Sequence, residues 1–192
     1  MKKTIPFAAF AILGLSLSPI HAADTATTEK PASAQAAADK VPVYVIVVSG
    51  KGWGVGDKAS SAIKSQDGVK NVLLSGYRAT VLMQDGKSLD QSATQKAIVG
   101  KGLKMVSYEK TETVVPAKAY QLQVAGAGWA IENDKARVAL EKLDGVTAAY
   151  VDKDIAIHFT KAGTFDQAEV AKILKPFKMT VKASKKLDTL PF

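Results

Sequence analysis

The sequence predicts an α+β fold of two tandem βαββαβ units, each an antiparallel four-stranded sheet with two helices on one face. Three observations carry that expectation. One segment of the chain is written twice, each copy alternates between period-two and helical hydrophobic patterns, and glycine or Asp-Gly punctuation falls where the pattern changes.

Ahead of the copies, Lys2 and Lys3 precede an apolar run from Phe7 to Leu17, broken only by Gly14 and Ser16, and Ala22 supplies a small residue for cleavage. This pattern is that of a secretory signal peptide over residues 1–22. The apolar run falls well short of the roughly 20 residues that span a bilayer as a helix, so no transmembrane segment is expected after cleavage. Residues 23–40 contain no Leu, Ile, Val or aromatic residue to pack a core, and a disordered Ala/Thr-rich tether is expected over 23–41. The expected location is periplasmic or secreted.

The repeat begins where Tyr44-Val-Ile-Val-Val-Ser-Gly50-Lys-Gly-Trp53 meets its counterpart Tyr120-Gln-Leu-Gln-Val-Ala-Gly126-Ala-Gly-Trp129, 76 positions later. Asp67-Gly68-Val69 is answered by Asp144-Gly145-Val146, and Leu89-Asp90-Gln91 by Phe165-Asp166-Gln167. Leu103-Lys104-Met105 is paired with Phe177-Lys178-Met179 at an offset of 74. Such a period is the size of a small autonomous domain and too long for a solenoid, which points to a tandem duplication. The expected boundaries are a first domain over 42–110, a linker over 111–118 containing Val114-Val115-Pro116, a second domain over 119–188 and a tail over 189–192.

The elements are clearest in the second copy. Tyr120, Leu122 and Val124 alternate with Gln121 and Gln123, as in a half-buried strand. Ala136, Ala139, Leu140 and Leu143 follow at helical spacing, and Asp144-Gly145 stops that helix. Residues 147–151 and 155–159 make two strands around Asp152-Lys153-Asp154. Val170, Ile173 and Leu174 form a second helical stripe, and Phe177, Met179 and Val181 alternate as a last strand. Two helices sharing one apolar side give the ferredoxin-like arrangement.

At this level of detail the second copy resembles the heavy-metal-associated domain of copper chaperones and of the N-termini of metal-pumping ATPases. The family pattern G-M-T-C-x-x-C-x-x-x-V-x-x-A-L-x-x-L-x-G-V is matched in spacing by Gly126, Ala136, Ala139, Leu140, Leu143, Gly145 and Val146. The resemblance spans a whole repeat unit. It implies the ferredoxin-like fold and, by the family's habit, metal handling. The two thiolate positions, however, are occupied by Trp129 and Glu132, and in the first copy by Trp53 and Gly56. The family's loop methionine is replaced by Lys51 and Ala127. Soft Cu(I) needs thiolates, so the fold is expected to carry over without the metal chemistry.

Other chemistry is equally constrained. With no cysteine and 2 histidines, of which only His158 follows the signal, thiolate zinc sites, iron–sulfur clusters and a Cys nucleophile are excluded. His158 alternates with Ile157 and Phe159, so an exposed position on the open sheet face is expected, with no oriented Ser-His-Asp set around it. No enzyme activity, cofactor or metal site is expected. Asp152 and Asp154 flank Lys153 as a solvated turn. Gly50 to Lys58 is a glycine-rich strand-to-helix connection outside the phosphate-loop register. Trp53 and Trp129 hold the same loop position twice, where an indole either stacks on a partner or folds over its own core. The net charge of +8, to which the two signal lysines contribute, is spread and not clustered and is mostly lysine, which argues against nucleic acid and fits solubility or weak attraction to anionic polymers.

Strand parity exposes one asymmetry. In the first copy Tyr44, Ile46, Val48, Ala79, Val81, Leu103 and Met105 face the helices, leaving Val45, Val47, Leu82, Val106 and Tyr108 on the open face. A bare patch of that kind implies a cover, supplied by the second domain, a second copy in a homodimer, or a partner. The resulting expectation is a non-catalytic binding or structural protein whose partner is a protein or an envelope polymer. The alternative is weak metal binding or a metal-handling accessory role.

Overall fold

A computed structural model describes residues 39–52, 54–127 and 130–190. The expected signal peptide and the tether up to residue 38 lie outside the described residues, as do Trp53, Trp129 and the last two residues. The described chain falls within one compact unit. It contains two ferredoxin-like α+β domains, each a four-stranded antiparallel sheet with two helices.

The first domain runs β1 (Lys40–Ser49), α1 (Val55–Lys64), β2 (Val69–Ser75), β3 (Arg78–Met83), α2 (Gln91–Gly100) and β4 (Lys104–Val114). The second runs β5 (Lys118–Ala125), α3 (Ala130–Leu140), β6 (Val146–Val151), β7 (Asp154–Phe159), α4 (Gln167–Leu174), a short 3-10 turn (Lys175–Phe177) and β8 (Thr180–Lys186). Strand order is β2-β3-β1-β4 in one sheet and β6-β7-β5-β8 in the other. Strand covers much of the segment read as linker: β4 continues to Val114 and β5 starts at Lys118, leaving three residues between the sheets.

The two copies agree in register. Tyr44 pairs with Val81 and Tyr120 with Ile157, each residue displaced by 76. The repeated Leu-Asp-Gln and Phe-Asp-Gln motifs are helix starts. Asp90 caps α2 by accepting from the Ala93 amide, and Asp166 caps α4 by accepting from Ala168 and Glu169. Gly68 and Gly145 of the Asp-Gly pairs take left-handed conformations, at φ 71° and 72°.

Each core lies between its helices and one sheet face. Ile46, Val48, Ala59, Ile63, Val81 and Ile98 centre the first, and Leu122, Ala136, Leu140, Ile155, Ile157 and Leu174 the second, all buried. The inward parity expected for both copies therefore holds. Two details differ from expectation. The offset-74 pairing of the last motif is wrong by two residues. The Leu103 amide donates to the Ile98 carbonyl and the Met179 amide to Leu174, so Leu103 corresponds to Met179 at the same offset of 76. Gly102 and Lys178 then coincide, both left-handed at φ 74° and 59°, and Phe177 belongs to the 3-10 turn before the strand.

The second difference is a β-bulge. β1 pairs Val48 with Met105 but Val47 with Ser107, so Val106 is an extra residue that reverses the parity of everything after it. Tyr108 therefore turns inward, opposite Ile46, with its ring 5.5 Å from that of Tyr44 and its hydroxyl donating to the Leu89 carbonyl. Burial pushes the Tyr108 phenol up to about 12. Val106 itself is 58% exposed. The second sheet bulges at the matching place, between Gln123 and Val124, and there the extra residue is Lys182.

Val45 and Leu82, by contrast, are 5% and 4% exposed although both point away from their own core. Val45→Lys is expected to lower stability by about 2 kcal/mol or more, because an ammonium would be forced into a covered apolar position. Val106→Lys is expected to stay within about 0.5 kcal/mol of the parent, as its counterpart Lys182 implies. Denaturant unfolding of the two variants measures the contrast.

Candidate functional site

The residues with chemistry to offer gather where the two domains meet, and glycine geometry sets how closely they approach. The hairpin between β2 and β3 turns at Gly76, with φ 60°, and a Cβ there would be driven into the Ala130 carbonyl at the start of α3. Close approach lets the Gly76 amide donate to the Val151 carbonyl at 3.2 Å, and the Val151 amide donate to Ser75 Oγ at 3.2 Å. The edge strands β2 and β6, equivalent in the two copies, are thus joined at one end.

Above that junction the two strand-to-helix loops face a common cleft of about 540 Å³. Gly50 and Gly54 of the first loop, Gly56 in the first turn of α1 and Ala127 of the second loop line it. Tyr77 and Asn133 add polar side chains. Asp57, in the first turn of α1, accepts two hydrogen bonds from the Lys153 ammonium at 3.1 and 3.0 Å, a contact spanning 96 residues of sequence. Both partners are largely exposed, so the pair fixes geometry more than it adds stability. Burial pushes the carboxyl of Asp152 up, and the charge of Asp57 adds to the effect. Asp152 and Lys153 thus lie at the domain seam, and the expected turn is solvated at Lys153 and Asp154 while Asp152 is half-buried.

Of the positions that the family pattern assigns to thiolates, Gly56 lines this cleft without a side chain. Glu132 lies on α3 and pairs with Lys135 at 3.0 Å. Trp53 and Trp129 lie outside the described residues. Among the described residues no three His, Asp or Glu side chains converge as a metal-holding group. The donors present do not suit a soft metal.

Below the junction the outer sheet faces carry the apolar residues. Val45 and Leu82 are covered and Val47 is half-buried, whereas Val106 is exposed and Tyr108 belongs to the first core. Sequence reasoning missed Val43, 1% exposed, although it shares the parity of Val45. It also missed Tyr150 of β6, which projects from the outer face of its own sheet. Burial pushes its phenol up to about 12, the Glu141 carboxylate reinforces the shift, and Arg78, Thr113 and Thr80 from the first domain oppose it. Tyr150, Thr80 and Thr113 line a polar cavity of about 150 Å³ between the domains.

His158 corrects an expectation. Its predicted direction, away from the helices, is right, but it is 0% exposed, not solvated. It stands where the first copy has Leu82, pairs in register with Ala119, and lies with its ring 5.0 Å from that of Tyr150. Burial pulls its pKa down to about 4.

No protein-family model matches the chain, and no curated protein matches it. Among solved structures it is similar to the N-terminal soluble domains of Bacillus subtilis CopA, at 16% identity and a TM-score of 0.30, over 76% of this chain and 94% of that one. It is also similar to the water-soluble region of the P-type ATPase CopA from Bacillus subtilis, at 15% identity and a TM-score of 0.29, over 76% and 93%. The fold assignment stands on strand order and register alone. Among the described residues no helix is long and apolar enough to cross a membrane.

Gly76→Val is expected to cost about 2 kcal/mol or more, since it places a β-branched residue in a left-handed conformation and forces the hairpin off Ala130. Because the strain sits at the junction, amide chemical-shift changes should centre on Ser75, Ala130 and Val151 and leave both cores undisturbed.

Proposed function

We propose that the chain is an extracytoplasmic, non-catalytic binding protein, descended from a duplicated heavy-metal-associated domain that no longer transfers soft metals. The observation that carries this reading is the chemistry of the loop cleft. Where the family presents two thiolates per loop, this sequence supplies Trp53 and Gly56, then Trp129 and Glu132, and of the charged groups lining the cleft Asp57 and Lys153 already pair with one another. Fold similarity alone confers no activity, because function belongs to the site. The Lys2-Lys3 start and the apolar run from Phe7 support export, and the basic charge favours a protein partner with an acidic surface or an anionic envelope polymer.

Binding is where the two loops meet, so both copies contribute to one surface. Among the described residues no nucleophile, base and orienting group come together in the cleft, and His158 is buried and is not part of its lining.

Titration with Cu(I), Zn²⁺ and Ca²⁺ followed by thermal unfolding tests the loss of metal handling. A ligand that binds only the folded state must raise the melting temperature, by an amount corresponding to about 2.7 kcal/mol at a hundredfold excess over Kd. No shift is expected with Cu(I) or Zn²⁺. A stoichiometric rise with either would overturn the reading in favour of a metal-handling accessory, and a rise with Ca²⁺ alone would assign the carboxylates of the cleft to a hard cation.

A further inference from the structure

His158 is the group that the proposed function leaves unused and whose placement has a consequence. Its side chain is on the sheet face opposite α3 and α4, so its own domain core does not cover it. Tyr150 shares that face at 5.0 Å and reaches Thr80 and Thr113 of the first domain. The chain between the sheets passes alongside, with the Ala117 amide donating to the Phe159 carbonyl and Pro116 buried. Tyr150, which packs on the ring and reaches across to the first domain, thus ties the buried His158 to the domain seam.

We propose that His158 makes the docking of the two domains sensitive to pH, so that mild acid loosens the seam while each domain stays folded. The structural basis is burial of a titratable ring at a position where the other copy uses Leu82, which cannot charge. The titratable group packed against the ring is Tyr150 on β6, and the cavity on the far side of Tyr150 is lined by Arg137 on α3, Glu141 just after α3, and Arg78 and Glu112 from the first domain. Burial is the cause acting on the imidazole itself. Docking holds the neutral ring, while an undocked ring would take up a proton near the ordinary value of 6.5. The stabilisation is thus complete above about pH 6.5 and is lost as pH falls from there toward 4. An exported protein equilibrates with external pH, which gives such a device a signal to read.

The Gly76 amide, bonded across the seam to Val151, reports opening directly through hydrogen exchange. In the parent protein its protection, corrected for the intrinsic pH dependence of exchange, is expected to fall on the order of 20-fold from pH 7 to pH 5. Core amides such as those of Ile46 and Leu122 should keep theirs. His158→Leu, which installs the residue found in the first copy, should hold Gly76 protection constant. An unchanged parent, or an equal fall in the variant, would overturn the proposal. Should the variant not fold, the ring titration of His158 in the parent decides the matter: loss of Gly76 protection must track His158 protonation, and a loss that follows a different group contradicts it.

Discussion

The rest of the structure depends on one constraint, which is that the outer face of the first sheet cannot be left in water. Val43, Val45 and Leu82 point away from α1 and α2 and are nonetheless buried. Burying an aliphatic side chain of this size contributes roughly 1.5–3 kcal/mol, so three of them are a substantial share of the stability a small domain has. The second domain answers with Tyr150, a ring whose apolar body covers surface while its hydroxyl is oriented by threonines across the seam. The two domains are consequently a unit, and the cleft between their loops exists because of it.

Glycine decides how the unit closes. A hairpin turn normally presents a side chain at its tip, but Gly76 lets backbone meet backbone at Ala130. That contact aligns Ser75 and Gly76 with Val151 and brings Asp57 within reach of Lys153. It also joins one end of β2 and β6, the two equivalent edge strands; β4 and β8 are the opposite edges of their sheets. β8 carries Lys182, Lys185 and Lys186, the charge that discourages strand addition.

Much of the fold was legible because the signals are local. Alternation in Tyr120, Leu122 and Val124 fixes a strand, Asp90 and Asp166 fix helix starts, and the offset of 76 fixes the domain count. The failures are equally physical. A bulge adds a residue without any sequence mark, so parity read through Val106 put Tyr108 on the wrong face. Lys178 adopts the left-handed conformation that Gly102 holds in the first copy, and the substitution hid the true alignment of Leu103 with Met179. His158 was assigned the right direction and the wrong environment, because its neighbour Tyr150 lies at the domain seam, which no pattern local to β7 marks. The cleft was invisible for the same reason, since no local pattern links Asp57 to Lys153.

The central claim, that the two domains form one body held by the seam around Tyr150, is tested most directly by residual dipolar couplings measured on the intact protein in a weakly aligning medium. The account predicts that amides of both domains fit a single alignment tensor, at neutral pH, with the orientation of β2 against β6 preserved. Two tensors of different magnitude, one for each domain, would show independent tumbling and contradict it.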